Sequence, residues 1–324
     1  MTINEIARIA GVSRATVSRY LNNGYVSDEK REKLRVVIEE TGYSPSVSAQ
    51  TLRSGRTKCV GVVIPKINSD SIARMVAGIS RRLSNAGYQL LLACTENDEK
   101  KELNFLNVFS EGNVDGIILF GTILTKSHKT VLNSLSVPSV VLAQDLAGFP
   151  CVFFDDYAAG FEMGKHLAKT GKIFGMICVT KLDEAVGTAR RKGFLDALFE
   201  NGKSVEFVEE CGFSMEDGRT AGKKILTQHG EIDTLFCVTD TIASGALTAA
   251  REIGRAIPSP LQIAGIGDST IGLAVFPPLT TVRFRYESAG MEAASMLLER
   301  IVDRTSPIKS VKLSQEIIIR GTTR

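Results

Sequence analysis

Cationic and small polar side chains are concentrated in Gly11–Asn23, which reads Gly-Val-Ser-Arg-Ala-Thr-Val-Ser-Arg-Tyr-Leu-Asn-Asn. Arg14 and Arg19 each present five N–H donors in a planar fork that can hydrogen-bond to base edges or phosphates. Ala15 offers only a methyl group, which suits an apolar contact such as one to a thymine methyl. The chemistry available to this stretch is therefore hydrogen bonding and apolar contact in a DNA groove.

Three short helices are predicted to position these side chains. Thr2 and Glu5 match a capping box for a first helix, and Gly11 can adopt the left-handed conformation that ends it. Ser13 is a good N-cap for a second helix, and a third is expected from Ser27 to Gly42. Two helices joined by a tight turn form a helix-turn-helix, although three such helices also fit a plain helical bundle.

The charge distribution separates this N-terminal segment from the rest of the chain. Residues 1–58 carry ten Lys and Arg against six Asp and Glu, and the remaining residues carry 29 against 30. The excess of positive charge on a small segment indicates a surface that faces phosphates.

The segment after the third helix favours the DNA-binding interpretation over the plain bundle. Pro45 ends an extended link, Ser46 can cap one or two further turns of helix, and Gly55 lies just beyond. A helix this short is marginal alone, so it is expected to fold only against DNA or a second copy of the chain.

Several motifs of this head resemble, in order and spacing, those of the lac-repressor (LacI/GalR) family of bacterial transcription regulators. They are Val12-Ser13, Thr16-Val17-Ser18-Arg19, Leu21-Asn22, Gly42-Tyr43-Ser44-Pro45 and Ala49-Gln50-Thr51-Leu52. The resemblance implies that Arg14, Ala15 and Arg19 face base edges, and that Thr2, Ser13, Thr16 and Asn22 face phosphates. It also implies that residues 46–54 form a hinge helix whose Leu52 wedges into the minor groove, with Tyr43 and Ala49 as further DNA contacts. Ser46 replaces the more usual asparagine.

Beyond Lys58, apolar runs alternate with amphipathic stretches, a pattern typical of doubly wound parallel sheets with helices on both faces. The rhythm predicts an α/β fold in two lobes of five strands each. The core resembles the sugar-binding core of the same family, related in fold to periplasmic sugar receptors. We therefore predict a helix-turn-helix domain at 1–45, a hinge helix and linker at 46–57, and an effector-binding and dimerisation core at 58–324.

Ligands in such folds gather at the carboxyl ends of the strands, where the two lobes face each other across a cleft. Lys66 and Asp240 follow strand ends, Arg190 begins a helix, and Phe213 and Phe284 can stack on a pyranose ring. Arg190 also matches the family's effector-binding arginine by its spacing to Gly193-Phe194. Gly121 completes the predicted effector site. Four of these residues have a plainer interpretation: Asp240 caps the helix beginning at Thr241, Phe213 and Phe284 belong to the core, and Lys66 is a solvated charge.

The effector is predicted to be a sugar or sugar phosphate. Where family members that bind neutral sugars commonly carry an acid, this chain has Gly267, with Asp268 one residue later. Several stretches look closest to trehalose-operon repressors, whose signal is a disaccharide phosphate: Ser44-Pro-Ser, Asp115 to Gly121, Ala147-Gly-Phe with Asp155-Asp156, Thr239-Asp-Thr and Tyr286 to Ala294. Sucrose-type repressors come next, because Gly24-Tyr25-Val26-Ser27 recurs there. A global carbon regulator that docks a protein corepressor stays open.

Other functional classes find little support. The three histidines are far apart in sequence, and neither a phosphate-binding Gly-x-x-x-x-Gly-Lys-Ser/Thr loop nor a Gly-x-Ser-x-Gly elbow occurs. An enzyme, a metal site and a cofactor are therefore not expected. The six scattered cysteines fit buried thiols in a reducing compartment. With no leader, no membrane-spanning run and no heptad tail, we expect a cytoplasmic homodimer that binds double-stranded operator DNA and no membrane.

Overall fold

The computed structural model describes residues 1–22, 24–43, 55–112 and 114–324. Its contacts divide the chain into two compact units, Met1–Lys58 and Cys59–Arg324. The predicted hinge helix, with Ala49 and Leu52, lies outside the described residues. None of the described helices combines the length and apolar composition needed to cross a membrane.

The first unit contains three helices around a small apolar core. They are α1 (Ile3–Ile9), α2 (Arg14–Leu21) and α3 (Asp28–Thr41). Ile6, Val17 and Leu34 contribute one fully buried side chain from each helix. The predicted capping box of Thr2 and Glu5 is present, Ser13 caps α2, and α3 ends at Gly42 in the left-handed conformation. The predicted helix boundaries are therefore confirmed.

The second unit alternates strands and helices through most of its length. Its strands are β1 (Cys59–Ile64), β2 (Gln89–Cys94), β3 (Gly116–Phe120), β4 (Ser139–Leu142), β5 (Cys151–Phe154), β6 (Phe174–Cys178), β7 (Val205–Glu210), β8 (Thr234–Cys237), β9 (Gln262–Ala264), β10 (Thr281–Phe284), β11 (Ser310–Leu313) and β12 (Gln315–Ile318). Its helices are α4 (Asp70–Asn85), α5 (Glu99–Ser110), α6 (Lys126–Ser134), α7 (Asp156–Ala168), α8 (Arg190–Glu200), α9 (Met215–Gln228), α10 (Asp240–Glu252), α11 (Thr270–Ala274) and α12 (Tyr286–Val302), with a π-helical turn at Glu184–Ala189 before α8.

These elements form two lobes with parallel sheets. Lobe 1 has the strand order β11-β5-β4-β3-β1-β2, and lobe 2 has β7-β6-β8-β9. The prediction of five strands in each lobe is wrong. The chain returns to lobe 1 late, so that β11 pairs in parallel with β5, while β10 pairs antiparallel with β12 in a separate ribbon. Strand pairing between distant segments is not encoded in local periodicity.

Lobe 1 also contains α12, which packs against α4 and against β3, β4 and β5. The chain therefore passes between the lobes three times: after β5, before α12 and after β11. The carboxyl ends of the parallel strands of both lobes carry the loops that approach one another across the cleft.

Candidate functional site

Helix α2 of the head presents the predicted base-reading side chains to solvent. Arg14, Ala15 and Arg19 are exposed, whereas Val17 is fully buried against α1 and α3. Because successive residues turn by about 100° around a helix, burying Val17 places Ala15 and Arg19 on the opposite side. Arg14, the first residue of α2, is exposed as well. A groove-reading helix requires this arrangement.

The predicted phosphate-facing side chains cluster at helix ends. The Ser13 hydroxyl accepts from the Thr16 backbone N–H at 3.2 Å and lies 2.9 Å from the Thr16 hydroxyl. The Thr2 hydroxyl accepts from the Glu5 N–H at 3.3 Å. The exposed Asn22 amide donates to the Ser18 carbonyl, and Tyr43 is half-buried against the head core. In Thr2 the oxygen is used as an acceptor, so its O–H remains available to donate to a phosphate.

Arg190 is the central charged group of the cleft. It begins α8 directly after the π-helical turn and is only 6% exposed. Its Nε donates to Asp156 Oδ1 at 2.7 Å, and one Nη donates to the Val238 carbonyl at 2.8 Å. Its guanidinium carbon lies 5.4 Å from the centre of the Phe284 ring. Asp156 begins α7 immediately after β5, so the chain crossover itself places the carboxylate beside the arginine.

Phe284 is buried in an aromatic cluster. It is 1% exposed, with its ring centre 4.8 Å from that of Phe154 and 5.9 Å from that of Tyr286. Arg190 covers one face of the ring, so a ligand reaches that face only if the guanidinium moves.

Lys66 and Phe213 approach each other from opposite lobes. Lys66 follows β1, Phe213 follows β7, and the ammonium lies 5.2 Å from the ring centre. Burial lowers the pKa of Lys66, and nearby Asp217 opposes that effect. Among the described residues no carboxylate lies within ion-pair distance of this ammonium. The site therefore holds a cation that is partly removed from water without a direct acidic partner.

Asp240 is fully engaged within lobe 2. The plainer interpretation, that Asp240 caps a helix beginning at Thr241, is wrong, because α10 begins at Asp240 itself and Thr239 is the N-cap. Its Oδ1 accepts from the Thr281 hydroxyl at 2.5 Å, and its Oδ2 accepts from the Ser269 N–H at 2.7 Å. Burial raises the pKa of Asp240 to about 6, although the hydrogen bonds act in the opposite direction.

Gly121 lies on the lobe 1 wall of the cleft. Its N–H donates to the Leu142 carbonyl at 2.8 Å, and a Cβ there would lie 2.8 Å from Cβ of Gln144. The Gln144 amide donates across the cleft to Asp183 Oδ1 at 2.9 Å. A side chain at position 121 would therefore push against the residue that bridges the lobes.

The structure thus brings the predicted effector residues together in pairs, Lys66 with Phe213 and Arg190 with Phe284, while Gly121 and Asp240 contact other partners. Sequence reasoning missed four residues with contacts in and around the cleft: Asp156, which binds Arg190, Asp183 and Gln144, which bind each other, and Arg74. Asp156 carried a usable signal, since a carboxylate directly after a strand end lies at the ligand edge of the sheet. The other three act across the lobes, and nothing in their local sequence indicates this. The described residues contain no group of three or more metal-ligating side chains.

Comparisons with known proteins agree with this architecture. Residues 2–46 match the model of bacterial regulatory proteins of the lacI family, and residues 57–320 match that of periplasmic binding proteins and the sugar-binding domain of the LacI family. The chain is 32% identical to the sucrose operon repressor of Staphylococcus xylosus over 303 residues, which span 92% of this chain and 93% of the relative.

Solved structures show the same fold. The transcriptional regulator CelR in complex with cellobiose has a TM-score of 0.77 and 26% identity, over 99% of both chains. The lac repressor dimer bound to operator and the anti-inducer ONPF has a TM-score of 0.91 over 100% of this chain and 99% of that one, at 21% identity. The chain therefore belongs to the LacI family of DNA-binding transcriptional repressors, with a helix-turn-helix head and a sugar-binding core.

Proposed function

We propose that this repressor controls a disaccharide-utilisation operon and responds to a sugar phosphate bound in the interlobe cleft. Related proteins support a disaccharide: one is named as a sucrose operon repressor, and another was solved with cellobiose. The observation that supports a phosphate group on the ligand is the state of Lys66, whose ammonium is partly buried between the lobes and forms no ion pair among the described residues. A cation in this setting gains most from a ligand that brings its own negative charge.

Arg190 supports the same ligand class. Its guanidinium fork already binds one carboxylate and one carbonyl, which shows that the site can hold oxygen acceptors in a fixed geometry. A sugar hydroxyl or phosphate oxygen beside Asp156 would replace protein oxygens as acceptors of the Arg190 hydrogen bonds. Trehalose 6-phosphate is the specific candidate, because several stretches of the sequence resemble trehalose-operon repressors.

Calorimetric titration with trehalose 6-phosphate, trehalose, sucrose and inorganic phosphate tests the ligand. We expect the phosphorylated disaccharide to bind at least about tenfold more tightly than plain trehalose, since a charge-assisted contact contributes about 1.5–3 kcal/mol. Lys66→Ala should remove that preference, whereas Lys100→Ala, at an exposed lysine on α5, should not. Equal binding of trehalose and its phosphate to the wild type would rule out the phosphate.

We further propose that the repressor works as a homodimer. Strand β2 is an edge of the lobe 1 sheet, yet its Leu91 and Leu92 are 39% and 40% exposed. In lobe 2, Leu273 and Phe276 are exposed as well. Apolar side chains on an open strand edge invite pairing with another chain, and a second copy satisfies both lobes at once.

The twofold symmetry of a dimer would determine the symmetry of the operator sequence. Two heads related by a twofold axis read two half-sites of a near-palindrome, with phosphate contacts giving most of the affinity and base contacts the sequence choice. Because its target is chromosomal operator DNA, we place the protein in the bacterial cytoplasm. Gel-filtration mass and the symmetry of a footprint on the upstream DNA test this proposal. A monomer that protects a single half-site would overturn it, and Leu92→Glu should convert a dimer into such a monomer.

A further inference from the structure

Two residues one turn apart on α4 of lobe 1 hydrogen-bond to the loop 267–270 of lobe 2. The two Nη atoms of Arg74 donate to the main-chain carbonyls of Asp268 at 3.0 Å and Gly267 at 3.4 Å. Asp70, one helical turn earlier, accepts from the Thr270 hydroxyl at 2.8 Å and pairs with Arg74 Nε at 3.4 Å. The residues 267–270 are thus held to lobe 1 by direct hydrogen bonds.

Hydrogen bonds from within lobe 2 also hold the loop 267–270. The Asp268 carboxylate accepts from Arg283 Nε at 2.6 Å and from Arg320 at 2.5 Å, and the Ser269 N–H donates to Asp240. Gly267, at φ +142°, has a conformation that L side chains rarely adopt, so a side chain here would be strained. Arg74 therefore shares the restraint of this loop with side chains of lobe 2, and its contacts link the loop to lobe 1.

Arg74 is also connected to the cleft by a row of aromatic rings. Its guanidinium carbon lies 4.8 Å from the centre of the Tyr286 ring, which meets Phe154 edge-on at 5.2 Å. Phe154 and Tyr286 both contact Phe284, and Phe284 carries Arg190 on its face. Arg190 and Arg74 thus lie at the two ends of one packed aromatic cluster. Tyr286 is 6% exposed, so the cluster has little free volume in which a displaced ring can be absorbed.

We propose that Arg74 is a positioning residue that couples occupancy of the cleft to the relative orientation of the two lobes. A ligand that draws Arg190 away from Phe284 shifts the aromatic cluster. Arg74 packs against this cluster through Tyr286 while it hydrogen-bonds to the loop 267–270, so the shift is passed on to Arg74. This inference rests on the proposed function only in placing the ligand against Arg190. The contact between Arg74 and the loop exists without a ligand and is testable by itself.

Hydrogen exchange on the free full-length protein tests whether Arg74 restrains the loop 267–270. The amide protons of Gly267, Asp268, Ser269 and Gly272 all donate hydrogen bonds within lobe 2, so their exchange reports opening of this loop. Arg74→Ala should accelerate their exchange by about tenfold or more, and Arg74→Lys, which keeps the charge without the fork, by less. Arg81→Ala, on the same helix and paired with Glu287, is the matched control and should leave the loop unchanged. Unchanged exchange in Arg74→Ala overturns the proposal.

The ratio of operator affinities without and with trehalose 6-phosphate tests the coupling. Arg74→Ala should bring this ratio to within about threefold of one while the sugar phosphate still binds, and Arg81→Ala should keep the wild-type ratio. Tyr286→Phe, which keeps the ring, should behave like the wild type, whereas Tyr286→Leu should behave like Arg74→Ala. A wild-type ratio in Arg74→Ala refutes the coupling. If none of the titrated sugars binds the wild type, the proposed effector is wrong, and the exchange experiment alone decides the role of Arg74.

Discussion

The predicted base-reading residues of the head and two predicted binding residues of the core, Arg190 and Asp240, are in opposite states. In the head, Arg14, Ala15 and Arg19 are exposed, and the arginines form no ion pair among the described residues. In the core, Arg190 and Asp240 are 6% and 2% exposed, and both are hydrogen-bonded to protein groups. These two buried groups of the core thus have protein partners before a ligand binds, whereas Lys66, a third predicted residue of the core, forms no ion pair among the described residues.

This difference bears on how each region binds. Contact of Arg14 or Arg19 with a base edge breaks no ion pair within the described part of the head, so we expect DNA recognition to require little rearrangement of α2. A ligand that reaches Arg190 must replace contacts between protein groups, and replacing them changes the protein around the ligand. A ligand shifts a conformational equilibrium only when it makes different contacts in the two conformations. Because a ligand at Arg190 changes protein contacts, we expect its binding to be coupled to the conformation of the core.

Breaking the buried pair of the core should have the largest effect. Arg190→Ala leaves the Asp156 carboxylate buried without its cation, which should lower the free energy of unfolding by about 3–5 kcal/mol. Urea denaturation measures the loss, and Arg191→Ala, at the neighbouring half-buried position, is the control. The double variant Arg190→Met, Asp156→Leu should regain most of the stability without regaining ligand response. Equal stability of Arg190→Ala and the wild type would show that the pair is not buried in solution.

Asp240 should give the core a distinctive pH dependence. Since burial raises the pKa of Asp240 to about 6, the folded state binds its proton more tightly than the unfolded chain, whose carboxyl titrates near 3.8. The ionised group therefore costs stability above pH 6, by about 3 kcal/mol, and this cost disappears as the pH falls from about 6 towards 4. Asp240→Asn can accept from Ser269 and donate to Thr281, so its stability relative to the wild type should rise as the pH increases through 6. A difference that stays constant between pH 5 and 7.5 would contradict the raised pKa.

The same contrast explains what the sequence could predict. The head is built from local signals: Thr2 with Glu5, Ser13 and Gly42 each mark a helix end within a few residues, and all three assignments are confirmed. In the core the strands β1 to β6 follow from apolar runs, whereas the late return of β11 to lobe 1 does not. The partners Asp156, Asp183 and Arg74 belong to contacts between segments far apart in the chain. Candidate cleft residues could be proposed individually, because residue type and strand ends are local, but their pairing is set by packing.

In the head, Arg14→Ala should weaken operator binding by about 1–3 kcal/mol, roughly tenfold to a hundredfold, through loss of a base contact. Because Arg14 is exposed, the melting temperature should not change. Competition binding against operator and random DNA of the same length measures the effect. Arg35→Ala, on the exposed face of α3, is the control. An equal loss of affinity for both DNAs would reassign Arg14 from a base edge to a phosphate.

The smallest effect tests whether one side chain in the head serves both folding and binding. The Thr2 oxygen caps α1, and its O–H is predicted to donate to a phosphate. Thr2→Ala should lower the stability of the head by about 1 kcal/mol and also weaken operator binding. Thr2→Asp separates the two roles, because aspartate caps a helix as well as threonine does but repels a phosphate. We therefore expect Thr2→Asp to retain the wild-type melting temperature while operator affinity falls, most strongly at low salt. If Thr2→Asp binds the operator like the wild type, Thr2 only caps the helix, and the head's phosphate contacts must come from other groups.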